Sequence, residues 1–448
     1  MTEPDRGAGT TRSVLRPLTV VEQSAGGKRD ACDVQVAVDA ALQETFKLAS
    51  LRDGQEVVIQ AVLEGRDALF LAPTGGGKSL CYQLPAVVLH QRRRAFSVVI
   101  CPLLALMQNQ LDTLHRLGIK ATSISSTQTV SHNRDALQQI AGEALDSDEL
   151  CMIYVTPETA ASHRFLDALE KAYRRKAIGL FAVDEAHNIH VWGHDFRKKY
   201  RQLGELKQRF PRVPILAVSA TATKKVREDI RSQLQIPGAL QIVRSFNRPN
   251  IQYDVRYLFG DVDRLRLRTV VEVVTAHAGS CGLVYARTRE LVELVTLRLN
   301  AAGIKVGAYH AGMSTNKRFE VQSKWQSGEL PVVVATLAFG MGIDKGDVRY
   351  IVHADMPATV DAFYQQSGRA GRDLKPAVSI LLFSADDVRR LFFTIDSAIY
   401  ASDTLHERAV QELEDIRQMF TQNVCRRKLL LAHFGEALDL TKRNFVTE

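Results

Sequence analysis

Cysteine is scarce in this chain: six residues, at positions 32, 81, 101, 151, 281 and 425, and no two of them form a CxxC pair. That excludes a dense disulfide framework, and the six read as reduced, mostly buried thiols of an intracellular protein. Long apolar runs are missing as well, for no window approaches the ~18 consecutive apolar residues of a membrane span, so no membrane partner is expected. The amino terminus, MTEPDRGAGTTRSV, is polar and carries acids, with no apolar stretch of the kind a secretory leader needs. No internal repeat of roughly 20–50 residues is visible, which sets solenoids and propellers aside.

What remains is an ordinary soluble composition. The 448 residues are 46% hydrophobic and 24% charged, enough chain for two or three domains with separate cores. The net charge is +8, and residues 160–231 alone hold 16 Lys and Arg against 8 Asp and Glu, a local excess as large as that of the whole chain. A basic patch is the footprint of a phosphate polymer. Charge alone is equally a solvated helix face, so other features must decide.

Residues 1–43 are rich in Gly, Thr, Ser and charge, with little periodicity, and read as a mobile tail. Short apolar runs then alternate with helical-period segments: ALFLAP (68–73), SVVICP (97–102), MIYVTP (152–157), IGLFAVDE (178–185) and ILAVSAT (215–221). A second series follows with CGLVYAR (281–287), VGAYHAG (306–312), VVVATLA (332–338), RYIVHAD (349–355) and VSILLFS (378–384). Continuous apolar strands separated by helices predict parallel sheets covered on both faces. The expected units are therefore two α/β lobes, 44–244 and 245–384, hinged at SFNRPNIQYDV (245–255). A helical region, 385–448, follows, with Leu405, Val410, Leu413, Ile416 and Phe420 at near-helical spacing.

Two motifs carry chemistry. APTGGGKS (72–79) follows a strand and opens a helix. There Thr74, Gly75, Gly76 and Gly77 offer backbone N–H groups to phosphate oxygens, Lys78 reaches the β- and γ-phosphates, and Ser79 ligates Mg²⁺. Ala72 replaces the glycine that usually opens this loop. About a hundred residues on, Asp184-Glu185 stands at the end of an apolar strand, where such sheets bind ligands. Asp184 is expected to hold the magnesium ion and Glu185 to polarise the attacking water, the division of labour that phosphoryl transfer needs. His187, His190 and His194 permit a rival zinc site, though their spacing fits one only loosely.

With these two motifs in order, the chain resembles the RecQ family of superfamily 2 DNA helicases over roughly residues 44–434. Eight blocks match in sequence order: LRDGQ (51–55), PTGGGKSLCYQLPA (73–86), PLLALMQNQ (102–110), YVTPE (154–158), VDEAHNIHVWGHDFR (183–197), SATAT (219–223), VVVATLAFGMGIDK (332–345) and YQQSGRAGRD (364–373). The resemblance implies an α/β fold of two tandem RecA-like parallel-sheet lobes with a short C-terminal helical region. It implies ATP and Mg²⁺ as cofactors, and 3′-to-5′ translocation on single-stranded DNA with unwinding of forked or branched duplex in recombination and repair. The location implied is the nucleus, or the nucleoid if the source is bacterial.

Carried over by position, Arg52 and Gln55 are the adenine-reading pair, with Leu48 where many relatives place an aromatic ring. Gln365, Arg369 and Arg372 come from the second lobe, and Arg372 is the arginine finger. Trp192, His194, Phe196 and Arg197 belong to an aromatic-rich loop that senses single-stranded DNA by stacking and phosphate pairing. Ser219 and Thr221 link the lobes, and His310, Gly312 and Thr336 contact the DNA backbone.

The family's third region normally holds four zinc-binding cysteines. Here CRRKLLLAHFGE (425–436) supplies Cys425 alone, so zinc is not expected, nor are the winged-helix and HRDC modules of longer relatives. That keeps open a DNA-binding or strand-annealing protein whose ATPase regulates binding without efficient unwinding. An RNA-directed ATPase of the same superfamily is the third alternative.

Overall fold

The structure, a computed structural model, describes residues 25–144, 149–191, 202–339, 345–398, 400 and 403–438. Seven strands form the first sheet: β1 (Ala68–Leu71), β2 (Phe96–Ile100), β3 (Ala121–Ile124), β4 (Met152–Val155), β5 (Ile178–Val183), β6 (Ile215–Ser219) and β7 (Leu240–Val243). Their order is β3-β4-β2-β5-β6-β1-β7, and every pairing is parallel. Six form the second: β8 (Ile251–Tyr257), β9 (Cys281–Tyr285), β10 (Val306–Tyr309), β11 (Val332–Ala335), β12 (Val348–His353) and β13 (Ala377–Phe383). They run β10-β11-β9-β12-β13-β8, again all parallel.

The two-sided burial expected from continuous apolar runs is present. Along β1, Leu69 and Leu71 enter one core while Ala68 and Phe70 enter the other, as alternation across a strand requires. Amphipathic helices cover both faces. His163–Arg174, for example, buries Phe165, Leu166, Leu169 and Ala172 and leaves its charges outward.

All ten expected strands form, and three more appear. β3 (ATSI) is short and half polar, and β7 (LQIV) alternates half-buried with exposed residues, so neither stood out as an apolar run. β8 begins inside the stretch read as hinge and runs past its end, and its pairing with β13 narrows the connection between the lobes to the residues before Ile251. The expected tail to residue 43 is also corrected. Ala25–Ala40 is helical and continues into a wider turn at Ala41–Thr45, with Val38, Ala41 and Leu42 buried in the core of the first lobe. Small residues spaced one helical turn apart make that face, and alanine carries too little hydrophobicity to show as a periodic signal.

After β13 come three helices, Ala385–Asp396, Asp403–Thr421 and Arg426–His433, with Leu413, Ile416 and Phe420 buried as their spacing predicts. The first is fastened to the second lobe by a buried ion pair. Arg266 Nη2 donates to both carboxylate oxygens of Asp387, at 2.9 and 3.1 Å, and both side chains are sealed from solvent. Removing one partner leaves a buried, unpaired charge, a loss of about 3–5 kcal/mol. Arg266→Met is therefore expected to lower the thermal midpoint far more than Arg268→Met, whose ion pair with Glu272 is exposed. Equal shifts in the two variants would show that the buried pair contributes nothing special.

Candidate nucleotide site and nucleic-acid interface

Between β1 and the helix Leu80–Arg93 the chain turns through two left-handed glycines, Gly75 (φ 77°) and Gly77 (φ 79°). A side chain would strain both, which explains the glycine run. Lys78 Nζ folds back onto the loop, donating to the carbonyl oxygens of Ala72 at 3.2 Å and Pro73 at 3.4 Å. Burial holds its pKa below the ordinary lysine value, against the pull of Glu185 and Asp184. Ser79 is half-buried at the mouth of the helix. The result is a cradle of backbone donors around a buried ammonium, a shape and charge that suit a polyphosphate.

Hydrogen bonds continue past the end of β5. Asp184 N donates to Ile100 O and Ala186 N to Val218 O, each at 2.9 Å, which seats the acidic pair between β2 and β6. Asp184 accepts from the Tyr82 hydroxyl at 2.9 Å and from Glu185 N at 2.9 Å. Burial, and then the charge of Glu185, push its carboxyl above the usual range. A buried carboxylate so destabilised beside Lys78 and Ser79 fits a divalent cation, and Mg²⁺ held by Asp184 and Ser79 would supply charge neutralisation at the phosphates.

Glu185 adopts φ 47°, a left-handed conformation that costs a non-glycine residue energy and marks functional turns. One of its carboxylate oxygens, Oε2, is buried without a hydrogen bond, 3.4 Å from His187 Nδ1. An acceptor in that condition is suited to hold a water.

His187 joins the lobes. Burial lowers its pKa, so the ring is neutral. Gln365 Nε2, from the second lobe, lies 3.3 Å from His187 Nε2 and 3.2 Å from Thr221 Oγ1. An amide nitrogen only donates, which assigns Nε2 as acceptor and puts the ring proton on Nδ1, facing Ser219 Oγ at 2.9 Å. Ser219 Oγ in turn donates to Thr221 O at 2.8 Å. Glu185, Ser219, Thr221 and Gln365 thus gather around His187.

Arg372 crosses the same cleft. A Cβ added at Gly75 would stand 3.3 Å from its Cγ, so the stem of this arginine lies against the phosphate loop. Its charge also depresses the pKa of Lys78. Two cations from opposite lobes converging on one glycine loop call for a polyanion between them. Arg369, nearly buried, hydrogen-bonds to Tyr285 within the second lobe.

Arg52 and Gln55, expected to read adenine, are both hydrogen-bonded to the phosphate loop. Gln55 is 1% exposed, accepts from Arg52 N at 2.6 Å and donates to Gly77 O at 2.8 Å, while the Arg52 guanidinium donates to Gly75 O. Both lean on the phosphate loop, and Leu48 beside them is exposed.

Of the expected DNA contacts, Trp192, His194, Phe196 and Arg197 lie outside the described residues. His310, Gly312 and Thr336 come together at the ends of the neighbouring strands β10 and β11. His310 lies in the turn that follows β10. Its ring is 7% exposed, with Nε2 2.7 Å from Glu293 and the other nitrogen accepting from Gly312 N at 3.2 Å, so it shapes the turn that exposes Gly312. His187 is committed to Ser219 and Gln365, and among the described residues no three His, Cys, Asp or Glu gather as a metal site. Cys425 is exposed and stands as the one cysteine of residues 385–448, so the residues present do not make a zinc centre.

Sequence reasoning missed the side chains that tie the last helix to the lobe connection. Phe434 stacks on Phe246 at 4.5 Å between ring centres, and Glu436 accepts from Phe246 N at 2.7 Å. His433 lies 3.0 Å from Asp361, one turn from Gln365. Arg248 went unnoticed too, because an arginine beside a proline in a linker carries no pattern.

Three family models match: DEAD/DEAH box helicase over residues 52–230, helicase conserved C-terminal domain over 265–373, and RecQ zinc-binding over 385–441. Among curated relatives, the ATP-dependent DNA helicase hus2/rqh1 of Schizosaccharomyces pombe is 39% identical over 89% of this chain and 30% of its own length. The ATP-dependent DNA helicase Q1 of Rattus norvegicus is 36% identical over 95% of this chain and 69% of its own. The chain thus spans under a third of the yeast relative and about two thirds of the rat one. The Mycobacterium smegmatis helicase Lhr, solved with single-stranded DNA and AMP-PNP, shares the fold at a TM-score of 0.60 and 20% identity, over 87% of this chain and 54% of that one. Two tandem parallel-sheet lobes joined across a phosphate loop, a helical region behind them and these matches lead to one assignment: the chain belongs to the RecQ family of superfamily 2 helicases.

Proposed function

We propose that the chain is an ATP-dependent DNA helicase that hydrolyses ATP to translocate 3′ to 5′ along single-stranded DNA and opens forked or branched duplex in recombination and repair. One observation carries the hydrolytic half: Lys78 and Arg372, from different lobes, converge on the glycine loop. Beside it, the unbonded Oε2 of Glu185 lies 3.4 Å from His187, whose ring Gln365 contacts from the second lobe. Hydrolysis then depends on lobe closure, and closure is what a strand bound across both lobes would control. The nucleic-acid half rests on family membership and on the ends of β10 and β11, where Gly312 and Thr336 sit side by side. Arg52 and Gln55 serve the adenine, Asp184 and Ser79 hold Mg²⁺, Trp192, His194, Phe196 and Arg197 sense the strand, His310 joins Gly312 and Thr336 at the DNA backbone, and Arg369 acts with Arg372 in hydrolysis. The protein works in the nucleus, or at the nucleoid in a bacterial source.

The test is an ATPase assay with and without single-stranded DNA, run beside strand separation of a forked duplex. No stimulation by DNA would refute the reading. Stimulation without separation would favour a binding or annealing role, and stimulation by RNA alone would move the protein to RNA substrates. Binding to single-stranded DNA should also weaken with salt, log K falling by about 0.7 per phosphate contact against log[salt]. A flat response would reduce the basic window at 160–231 to a solvated face.

A further inference from the structure

The connection between the lobes holds a side chain that none of the motifs accounts for. Arg248 is 6% exposed, and its guanidinium is spent wholly on backbone. Nη1 donates to Gly368 O at 3.0 Å and to Thr74 O at 3.3 Å. Nη2 donates to Ala370 O and Gly371 O, each at 2.9 Å. Three of these carbonyls flank Arg369 and lead directly into Arg372; the fourth belongs to the phosphate loop, one residue before the glycine that Arg372 touches. We infer that Arg248 is a positioning residue for hydrolysis, setting the register of the Arg372 loop on the phosphate loop. The inference rests on the ATP-hydrolysing reading above.

The geometry explains why arginine stands here. A planar fork reaches four carbonyls on two loops at once, whereas an ammonium is a point donor on a flexible stem. The root of the fork is itself fixed. Arg427, from the helix Arg426–His433, donates to Arg248 O at 2.7 Å, to Asn247 Oδ1 at 3.0 Å and to Ile251 O at 2.6 Å. Two residues on, Asn250 Nδ2 donates to Gly371 O at 2.8 Å and to Lys375 O at 2.9 Å. The three bonds within the second lobe are shorter than the single bond to Thr74. Lobe separation would therefore break the Thr74 bond first and carry Arg248 away with the Arg372 loop. Closure restores the bond, and with it the placement of Arg372 over Gly75.

Arg248→Lys and Arg248→Ala are the variants to make, with DNA-stimulated ATPase, binding of a fluorescent ATP analogue and thermal unfolding measured on each. Misplacing a reacting group by about an ångström costs on the order of a hundredfold in rate. The expected result is a fall in kcat of about tenfold or more in Arg248→Lys, with analogue affinity and melting temperature close to those of the unaltered protein. A smaller fall, or a loss carried by KM with kcat intact, overturns the inference. The double variant Arg248→Lys with Arg372→Ala should be no slower than Arg372→Ala alone, because residues acting through one another are not additive. Multiplied losses would mean that Arg248 acts elsewhere. Should Arg248→Ala not fold, Arg248→Lys is decisive; failure of both to fold assigns Arg248 to stability and overturns the inference. If the unaltered protein hydrolyses no ATP on single-stranded DNA, the proposed function fails and takes this inference with it. Normal hydrolysis in both the unaltered protein and Arg248→Lys sinks the inference alone.

Discussion

Lys78→Ala should abolish ATP hydrolysis while leaving single-stranded DNA binding largely intact. The ammonium bonds only to carbonyls of its own loop, Ala72 and Pro73, and is buried. Its hydrogen-bond partners are neutral and Glu185 and Asp184 act on it only through their charge, so a bound β- or γ-phosphate would give the ammonium a directly paired anion. Alanine removes both the charge that draws phosphate in and the donor that follows the charge as it builds during transfer. It also leaves two carbonyls short of a donor, at a cost of about 1–3 kcal/mol if they stay dry. Preserved DNA affinity is the control that this cost has not unfolded the lobe. Glu185→Gln should behave differently: it keeps Lys78 and the glycine cradle, so it binds ATP tightly, yet its amide cannot accept the proton of the attacking water. ATP turnover in Lys78→Ala would remove the phosphate-loop assignment. Equal loss of nucleotide binding in both variants would make Glu185 a structural residue.

The parts of this design that were legible in the sequence share a physical cause. A fully buried parallel strand must be apolar throughout, so ten strands announced themselves. A phosphate loop needs positive φ, so its glycines did too. Edges were harder to see. β3 buries only half of its residues, β7 is half-buried at best, and the Ala25–Ala40 helix packs through alanine and valine, whose periodicity is weak. Chemistry carried on backbone was illegible in principle. Arg248 and Arg427 act by donating to carbonyls, and every residue has a carbonyl, so no partner pattern exists to be read. At His310 the sequence showed a motif position but not that its ring reaches Glu293 and the Gly312 amide. Gln55 likewise gave no sign that its amide would bond to the phosphate loop.

Arg372→Ala should cost roughly 10³–10⁵ in kcat, the scale on which an arginine supplied to the transferring phosphoryl group acts. Nucleotide binding should weaken far less, since the cradle, Lys78 and Asp184 all belong to the first lobe. The contact with Gly75 offers a second, independent handle. Its φ of 77° and the 3.3 Å gap to Arg372 Cγ mean that Gly75→Ala strains the loop and pushes Arg372 outward together. If the arginine acts from that position, Gly75→Ala should lower kcat in the presence of Arg372 and lower it much less once Arg372 is already alanine. A loop merely damaged by the methyl group would lose nucleotide affinity equally in both backgrounds. Removing Arg372 also lifts a like charge from Lys78, so the lysine pKa rises and its ammonium is more firmly held. Any loss of turnover in Arg372→Ala therefore cannot be assigned to a weakened lysine. Turnover within about tenfold of the unaltered protein would end the arginine-finger assignment, and the lobes would then have to be coupled through Gln365 and His187 alone.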